Sequence, residues 1–388
     1  MKKRTLRHIL ILISLFICVL SLAFAYRATS TPSPLNRVAV WMPTSWDRDR
    51  ARAAWTAYRE DIDELSPVWY QLDASGDGSI NTYSGARDQT LIDEVHQQGA
   101  LIIPLINNSY AGGMDPAPVS KVINDDAVRA AHIQTLVNEV VTYGYDGIDI
   151  DYEMLEGTDR DAFSLFIEEL AAALHQEGKI LSIAVHPKTW DWRARGGSVA
   201  QDWSRIGPAV DRFRIMTYGV HWSGSDPGPI APVPWMRDVL KYATSVVPHN
   251  KVYVGIHLYG LNWPEEGGAG SLTWDSAQAL LQREGISPSW EETASEPWFT
   301  YPDGSGGQRE VWYANGASVS ARLDLVRDYG LGGIAIWRLG GEDPDVWTAI
   351  QVKLHPRAQV YLPLMLRNSS TKIQAVAEAP RPTRPPYP

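Results

Sequence analysis

The sequence has almost no cysteine and lacks the short motifs of several enzyme classes. Its single cysteine, Cys18, lies in an apolar N-terminal segment, so the rest of the chain has no disulfide, thiol nucleophile or thiolate metal site. None of the nine histidines form an H-x-x-x-H pair, and there is neither a G-x-S-x-G elbow nor a phosphate-binding loop. We therefore expect no cofactor and no bound metal.

Basic residues are also scarce beyond the first few positions. Four of the 35 basic residues precede an apolar run from Ile9 to Ala25, which ends in a small-x-small pattern typical of a secretory signal. An uncleaved N-terminal anchor is the alternative. Cleavage leaves 31 basic and 45 acidic residues, a net charge of −14 that disfavours nucleic acid binding. We expect a secreted or cell-envelope protein, with membrane contact only through residues 1–25 if they are retained.

Apolar and aromatic residues are plentiful. A hydrophobic content of 44% is enough for a sizeable core, and the chain contains 16 tryptophans and 17 tyrosines. At least half of these rings should fill the core. The remainder offer flat faces that can stack on the apolar faces of sugar rings.

Short strand-like runs alternate with amphipathic helical stretches, several of which end in glycine. The predicted strands span residues 37–43, 66–73, 101–108, 145–153, 181–187, 212–219, 251–260 and 332–340. Eight such units predict an α/β fold, a (β/α)8 TIM barrel with a parallel sheet covered by helices. A doubly wound dinucleotide-binding fold is the alternative, but no predicted strand is followed by G-x-G-x-x-G.

The pattern divides the chain into four parts. Residues 1–25 are the predicted leader, 26–36 a Pro/Ser/Thr-rich linker and 37–355 the barrel domain. Within the barrel, residues 261–310 combine one helical stretch with a hairpin pattern, which predicts a small α+β insertion between strands seven and eight. Residues 356–388 contain an apolar patch and a proline-rich tail that is expected to be disordered. We expect a monomer.

The fourth predicted strand carries the sequence DGIDIDYE, residues 146–153. Side chains two apart share a face, so Asp149, Asp151 and Glu153 should line the barrel interior, about 6.6 Å apart in succession. Three carboxylates this close cannot all ionise readily, so one should keep its proton. Glu153, at the mouth, is best placed to protonate a sugar leaving group. A divalent-cation site and a helix-capping turn are the alternatives.

These residues resemble the D-x-x-D-x-D-x-E motif of glycoside hydrolase family 18, the chitinase family. RIMTYG resembles the family's sixth-strand M-x-Y element, and GGIAIWRLG resembles its eighth strand. The resemblance runs from about Val38 to Leu354. More narrowly, MTYGVHWSGSDPGPIAPVPWM and GLGGIAIWRLGGEDPDVW are similar to the branch of bacterial spore-germination and cortex-lytic glucosaminidases.

The resemblance implies a retaining, substrate-assisted mechanism in which the acetamido oxygen of the sugar attacks its own anomeric carbon. It implies that Glu153 protonates the glycosidic oxygen and later activates water. Asp151 would orient the acetamido group, and Asp149 would share a proton with Asp151. Tyr218 would hydrogen-bond the acetamido oxygen, and Trp337 would stack on the sugar.

One position departs from the family pattern: Gly219 stands where Asp or Asn is usual, which removes a polar contact. Further candidate substrate contacts lie at or after the carboxyl ends of strands, where barrel sites form. They are Trp41, Tyr70, Asn107, His186 and Tyr259, with Trp222 and Trp263 as outer stacking platforms.

The sequence thus predicts a secreted, endo-acting hydrolase of β-1,4-linked N-acetylglucosamine polymers, either peptidoglycan or chitin. A catalytically silent, lectin-like barrel and a metal-dependent hydrolase are the alternatives.

Overall fold

The computed structural model describes residues 36–111, 113–191, 196–304 and 306–355. The leader, residues 26–35 of the linker and the tail from residue 356 lie outside this part of the chain, so their assignments stay predictions. No helix within the described ranges is both long and apolar enough to cross a membrane.

Eight parallel strands close into a barrel. They are β1 (Arg37–Met42), β2 (Glu64–Leu72), β3 (Leu101–Ile102 with Leu105–Asn107), β4 (Gly147–Asp151), β5 (Ile180–Val185), β6 (Arg212–Ile215), β7 (Val252–His257) and β8 (Gly333–Trp337). Each strand pairs with the next, and β1 pairs with both β2 and β8. The predicted (β/α)8 barrel is confirmed, and the dinucleotide-binding alternative is wrong.

Helices cover the outside of the barrel. The main ones are α1 (Arg48–Tyr58), α2 (Gln89–Gln97), α3 (Asp126–Thr142), α4 (Arg160–Gln176), α5 (Trp203–Ala209), α6 (Val233–Val246), α7 (Gly316–Tyr329) and α8 (Asp345–Lys353). Their ends follow local chemistry: Asn315 and Ser318 form a capping box at the start of α7, and Gly330 ends it in the left-handed conformation at φ 62°. The buried face of α4 repeats at helical spacing, with Phe163, Ile167 and Leu170 inward.

Shorter elements complete the loops. A helix, Pro116–Asn124, precedes α3, and the strand Ile80–Thr82 pairs antiparallel with the end of β2. Ser109–Tyr110 and Gly113–Met114 form a two-stranded ribbon after β3. Single 3-10 turns occur at Arg59–Asp61, Gly157–Asp159, Gly196–Ala200 and His249–Lys251.

A five-stranded antiparallel sheet lies between β7 and β8. Its strands, in spatial order, are Gly270–Thr273, Tyr259–Pro264, Gln308–Tyr313, Glu296–Pro302 and Ser289–Glu291. One helix, Trp274–Glu284, packs on it around Leu281, Phe299 and Val311. The predicted α+β insertion is confirmed. Because its first strand starts at Tyr259, the last residues assigned to the seventh strand from the sequence belong to the insertion instead.

The barrel has two apolar layers. A large core lies between strands and helices, and a small one lies inside the lumen. The lumen core consists of Ala39, Trp41, Val68, Leu105, Ala184, Tyr253 and Ala335. Three of these are alanines, which leaves interior space that polar side chains from β2, β4 and β6 occupy.

Candidate active site

The carboxylate row of β4 points into the lumen. Asp149 is fully buried, and its Oδ2 accepts hydrogen bonds from Trp41 Nε1 at 2.7 Å and Arg214 Nη1 at 3.2 Å. Asp151 is 6% exposed, whereas the Glu153 side chain is 16% exposed. The intervening Ile148, Ile150 and Tyr152 belong to the outer core. Exposure of the three carboxyl groups therefore increases from the buried Asp149 to the partly exposed Glu153.

Burial keeps the upper two carboxyl groups neutral. It raises the pKa of Glu153 to about 7. Burial also raises the pKa of Asp151 well above its usual range, and the charges of Glu153 and Asp149 add to this effect. Below about pH 7 the site thus offers a protonated acid at the mouth, with a second carboxyl of raised pKa directly below it.

Beneath Asp149 lies a set of ion pairs that sequence reasoning missed. Glu64 Oε1 accepts a hydrogen bond from Arg212 Nε at 2.6 Å, and Glu64 Oε2 accepts one from Arg214 Nη2 at 3.0 Å. Arg214 Nη1 also donates to Ser66 Oγ at 2.7 Å. Burial opposes ionisation of Glu64, but the charges of Arg212, Arg214 and Arg37 outweigh it and lower its pKa to about 2. The signal in the sequence was the two arginines at alternate positions of β6, which share one face.

The backbone of Glu153 is held by Asn108, another residue that the sequence did not single out. Asn108 is fully buried, its Oδ1 accepts a hydrogen bond from Glu153 N at 2.9 Å, and its Nδ2 donates to Glu153 O at 3.0 Å. The neighbouring Asn107 was the predicted contact. It lies beside Asp151 in the strand register, and its Oδ1 accepts from the Tyr83 hydroxyl at 3.0 Å.

Tyr218 lies beside the carboxylate row, against Tyr259. Their rings meet edge to face with centroids 6.2 Å apart. Burial raises the pKa of Tyr218 well above its usual range, and the charges of Tyr259, Asp151, Glu153 and Asp149 contribute. The phenol therefore keeps its proton and can act as a hydrogen-bond donor.

A groove of about 360 Å³ begins at Tyr259, the ring that contacts Tyr218, and its lining also includes Trp222, Trp337 and Arg338. Trp222 is 58% exposed, so its ring is open to a bound molecule. Trp337 lies 6.1 Å from Trp41 between ring centroids. Trp41 itself is buried and bonded to Asp149, so the structure places it as a support for that carboxylate rather than on the groove surface.

Two predicted substrate contacts lie elsewhere and are corrected. The Tyr70 ring is fully buried among the residues packed against the helices, and its hydroxyl contacts Glu139 and Tyr145, each at 2.7 Å. Trp263 is 1% exposed, packs inside the insertion, and donates through Nε1 to Ser225 O at 2.9 Å. Neither ring can reach a ligand in the groove.

Two positions remain: His186, a predicted substrate contact, and Gly219, the departure from the family pattern. His186 Nε2 lies 3.1 Å from Glu153 Oε2. Gly219 follows Tyr218 with φ 83°, a conformation that favours glycine, and a Cβ there would meet no atom within 4 Å. The departure from the family pattern therefore leaves open space next to Tyr218.

Comparison with known proteins agrees with this geometry. Residues 106–343 match the family model of glycosyl hydrolases family 18. The chain therefore belongs to glycosyl hydrolase family 18, a family of glycosidases.

Individual relatives refine this assignment. A cortical fragment-lytic enzyme of Bacillus subtilis is 32% identical over 231 residues, which cover 58% of this chain and 54% of the relative. A chitinase structure from Chromobacterium violaceum superposes with a TM-score of 0.76 at 27% identity, covering 83% of this chain and all of the other. The spore cortex-lytic enzyme SleL of Bacillus cereus gives a TM-score of 0.76 at 25% identity, covering 82% of this chain and 74% of the other. The chain spans 54% to 66% of the length of the curated cortex-lytic relatives.

Within the described ranges, no group of three or more histidine, aspartate or glutamate side chains is arranged to hold a metal ion.

Proposed function

We propose that the protein is a secreted glycosidase that cleaves β-1,4-linked polymers containing N-acetylglucosamine, either peptidoglycan or chitin. The observation that carries the proposal is a partly exposed acid, Glu153, whose pKa is raised to about 7 by burial and which has a second carboxyl of raised pKa below it. A groove lined by Trp222, Tyr259 and Trp337 lies next to Tyr218, whose ring contacts Tyr259. Membership of family 18 supports the same reaction class.

The proposed reaction is retaining and substrate-assisted. Glu153 gives its proton to the glycosidic oxygen while the acetamido oxygen of the sugar attacks the anomeric carbon, so the glycosidic bond breaks and a cyclic oxazolinium forms. Water then adds to the anomeric carbon and gives a proton to the Glu153 carboxylate. The ring opens, and both the acid and the starting configuration are restored.

The other residues act on the acetamido group. Tyr218 donates to the acetamido oxygen, and its raised pKa supports a donor role. Asp151 orients the acetamido N–H and shares its proton with Asp149. In support, Oδ1 of each aspartate is buried without a hydrogen-bond partner among the residues that the structure describes. Trp337, with Trp222 and Tyr259, provides stacking surfaces.

The polymer and the location are part of the proposal. Relatives are named for spore cortex lysis and for chitin cleavage, and these names support both polymers. The resemblance of the sixth and eighth strands to the cortex-lytic branch favours peptidoglycan slightly. Secretion rests on the basic and apolar pattern of the leader.

The decisive experiment compares the wild-type protein with Glu153→Gln on chitin oligosaccharides and on purified peptidoglycan, with mass analysis of the products. We expect cleavage of at least one polymer by the wild type, and loss of cleavage with binding retained in the variant. Cleavage that EDTA abolishes would favour the metal-dependent alternative. Binding of both polymers without cleavage would favour the lectin-like alternative.

A further inference from the structure

The imidazole of His186 approaches the acid from the neighbouring strand. His186 directly follows β5, and its Nε2 lies 3.1 Å from Glu153 Oε2. This nitrogen is buried and forms no aligned hydrogen bond among the described residues, although Glu153 Oε2 lies within hydrogen-bonding distance of it. The Glu153 carboxyl is therefore the polar group that meets it.

The position of the imidazole is fixed on two sides. The His186 backbone N–H donates to Gln201 Oε1 at 2.8 Å, and Gln201 is fully buried. A Cβ at Gly197 would lie 2.5 Å from His186 Nε2 and 2.7 Å from Met154 N, so only glycine leaves room for the ring there. The ring is thus held against the acid by a loop that contacts it closely.

The pair carries no net charge over a wide pH range. Burial lowers the pKa of His186 to about 4 and raises the pKa of Glu153 to about 7. Between these values both side chains are neutral, and the ionisable proton of the pair resides on the carboxyl group. An imidazolium there would instead hold Glu153 as a carboxylate, which cannot donate a proton.

Three other ionisable groups of the described residues lie around Glu153, and one of them, Asp151, has its pKa raised in part by the charge of Glu153. Asp151 lies below Glu153 on β4, and Tyr218 lies beside it. The pKa values of both groups are raised, and burial is the largest cause. Lys188, on the loop after β5, donates to Asp191 Oδ1 at 2.7 Å and to Gln201 O at 2.5 Å. Its charge is therefore engaged by partners other than Glu153.

We propose that His186 is a positioning residue for the acid: during catalysis its neutral Nε2–H turns onto the nearby Oε2 as a donor, which leaves the carboxyl proton on Oε1, facing the glycosidic oxygen. After proton transfer the same N–H stabilises the newly formed carboxylate without adding a charge to the site. This inference deepens the proposed function and rests on it. It differs from a substrate contact, because His186 acts through Glu153.

Two substitutions at one position test the idea. His186→Leu fills the position with an apolar side chain and removes the Nε2–H donor. We expect kcat to fall about 10- to 100-fold, as for loss of a hydrogen bond to a charged group, with KM nearly unchanged. The basic limb of the pH profile of kcat/KM should move to higher pH, because the carboxylate has lost a donor. His186→Gln, which supplies an amide N–H, should recover most of kcat and restore the limb.

His249→Gln serves as the control, since His249 lies on a distant 3-10 turn and contacts Tyr329 O through Nδ1. It should match the wild type, and thermal unfolding of all variants checks that they fold. A His186→Leu variant with wild-type kcat and pH profile would overturn the proposal, as would one in which KM rises and kcat is kept. An inactive wild type would instead refute the proposed function itself, so the two failures are distinguishable.

Discussion

The barrel holds two carboxyl centres, one at the floor of its lumen and one at its mouth, that behave in opposite ways. At the floor, Glu64 is surrounded by Arg212 and Arg214, and its pKa falls to about 2. At the mouth, no arginine or lysine of the described residues pairs with Glu153, and burial raises its pKa to about 7. The same side chain is therefore a permanent anion at one end and a proton donor at the other. The difference lies in the pairing with arginine, because loss of water contact favours the neutral form of both groups.

The largest expected effect is on kcat and concerns Glu153, the carboxyl group at the mouth. Glu153→Gln preserves shape but removes the proton, and kcat should fall by about 10²- to 10⁴-fold, the usual contribution of a general acid. Rates on the cleaved polymer measure this. Glu156→Gln is the matched control, because Glu156 is exposed on the following loop and should retain full activity. Equal activity of wild type and Glu153→Gln would remove Glu153 from the mechanism.

Substitutions around Glu64, the carboxyl group paired with arginine, should instead lower the free energy of unfolding. Arg214→Met leaves Glu64 and Asp149 with fewer partners, and we expect the free energy of unfolding to drop by about 3–5 kcal/mol. Urea unfolding provides the measurement. Arg237→Met breaks a surface pair with Asp328 and should cost at most about 1 kcal/mol. Similar losses for both arginines would contradict the contrast between floor and surface.

The two centres should respond oppositely to pH. Because the folded-state pKa of Glu153 lies above its usual 4.5, folding stability decreases as pH rises from 4.5 towards 7. Glu64 has a lowered pKa, so its contribution is lost as pH falls from 4.5 towards 2.

Glu153→Gln should therefore be more stable than the wild type at pH 8, by up to about 3 kcal/mol, and close to it at pH 4. Urea unfolding at the two pH values decides this. A constant difference between the two proteins would show that the acid is not held at a raised pKa.

The smallest expected effect lies at the groove edge. Trp222→Ala removes an exposed stacking face, and KM for the polymer should rise about 3- to 10-fold, as expected for loss of about 1 kcal/mol of contact, with kcat kept. Trp290→Ala, in the edge strand of the insertion, is the control and should leave KM unchanged. A change in kcat rather than in KM would place Trp222 closer to the reacting bond than the groove suggests.

The sequence predicted the features that follow from short-range patterns. Alternation in DGIDIDYE put the three carboxyl groups on one face, and strand-helix alternation indicated the barrel. Tyr70 failed because the pairing of β2 with β3 shifts register between Val68 and Tyr70, which turns that ring from the lumen to the helices. A bulge of this kind leaves no mark in the alternation of residues.

Long-range partners were equally hidden. Arg214 bonds to Glu64, a residue 150 positions earlier, and Asn108 reaches the backbone of Glu153 across 45 positions. Trp263 was assigned to the groove because it follows β7, but the insertion that begins at Tyr259 takes it into its own core. In each case the decisive contact depends on packing between segments far apart in the chain.

Gly219 is a position where the fold has room for a larger residue. A Cβ there would meet no neighbour within 4 Å, and asparagine tolerates the left-handed backbone better than most residues. A polar group can therefore be grafted next to Tyr218 without repacking the barrel. A single substitution at this position therefore changes the polarity beside Tyr218, at a cost confined to the local backbone.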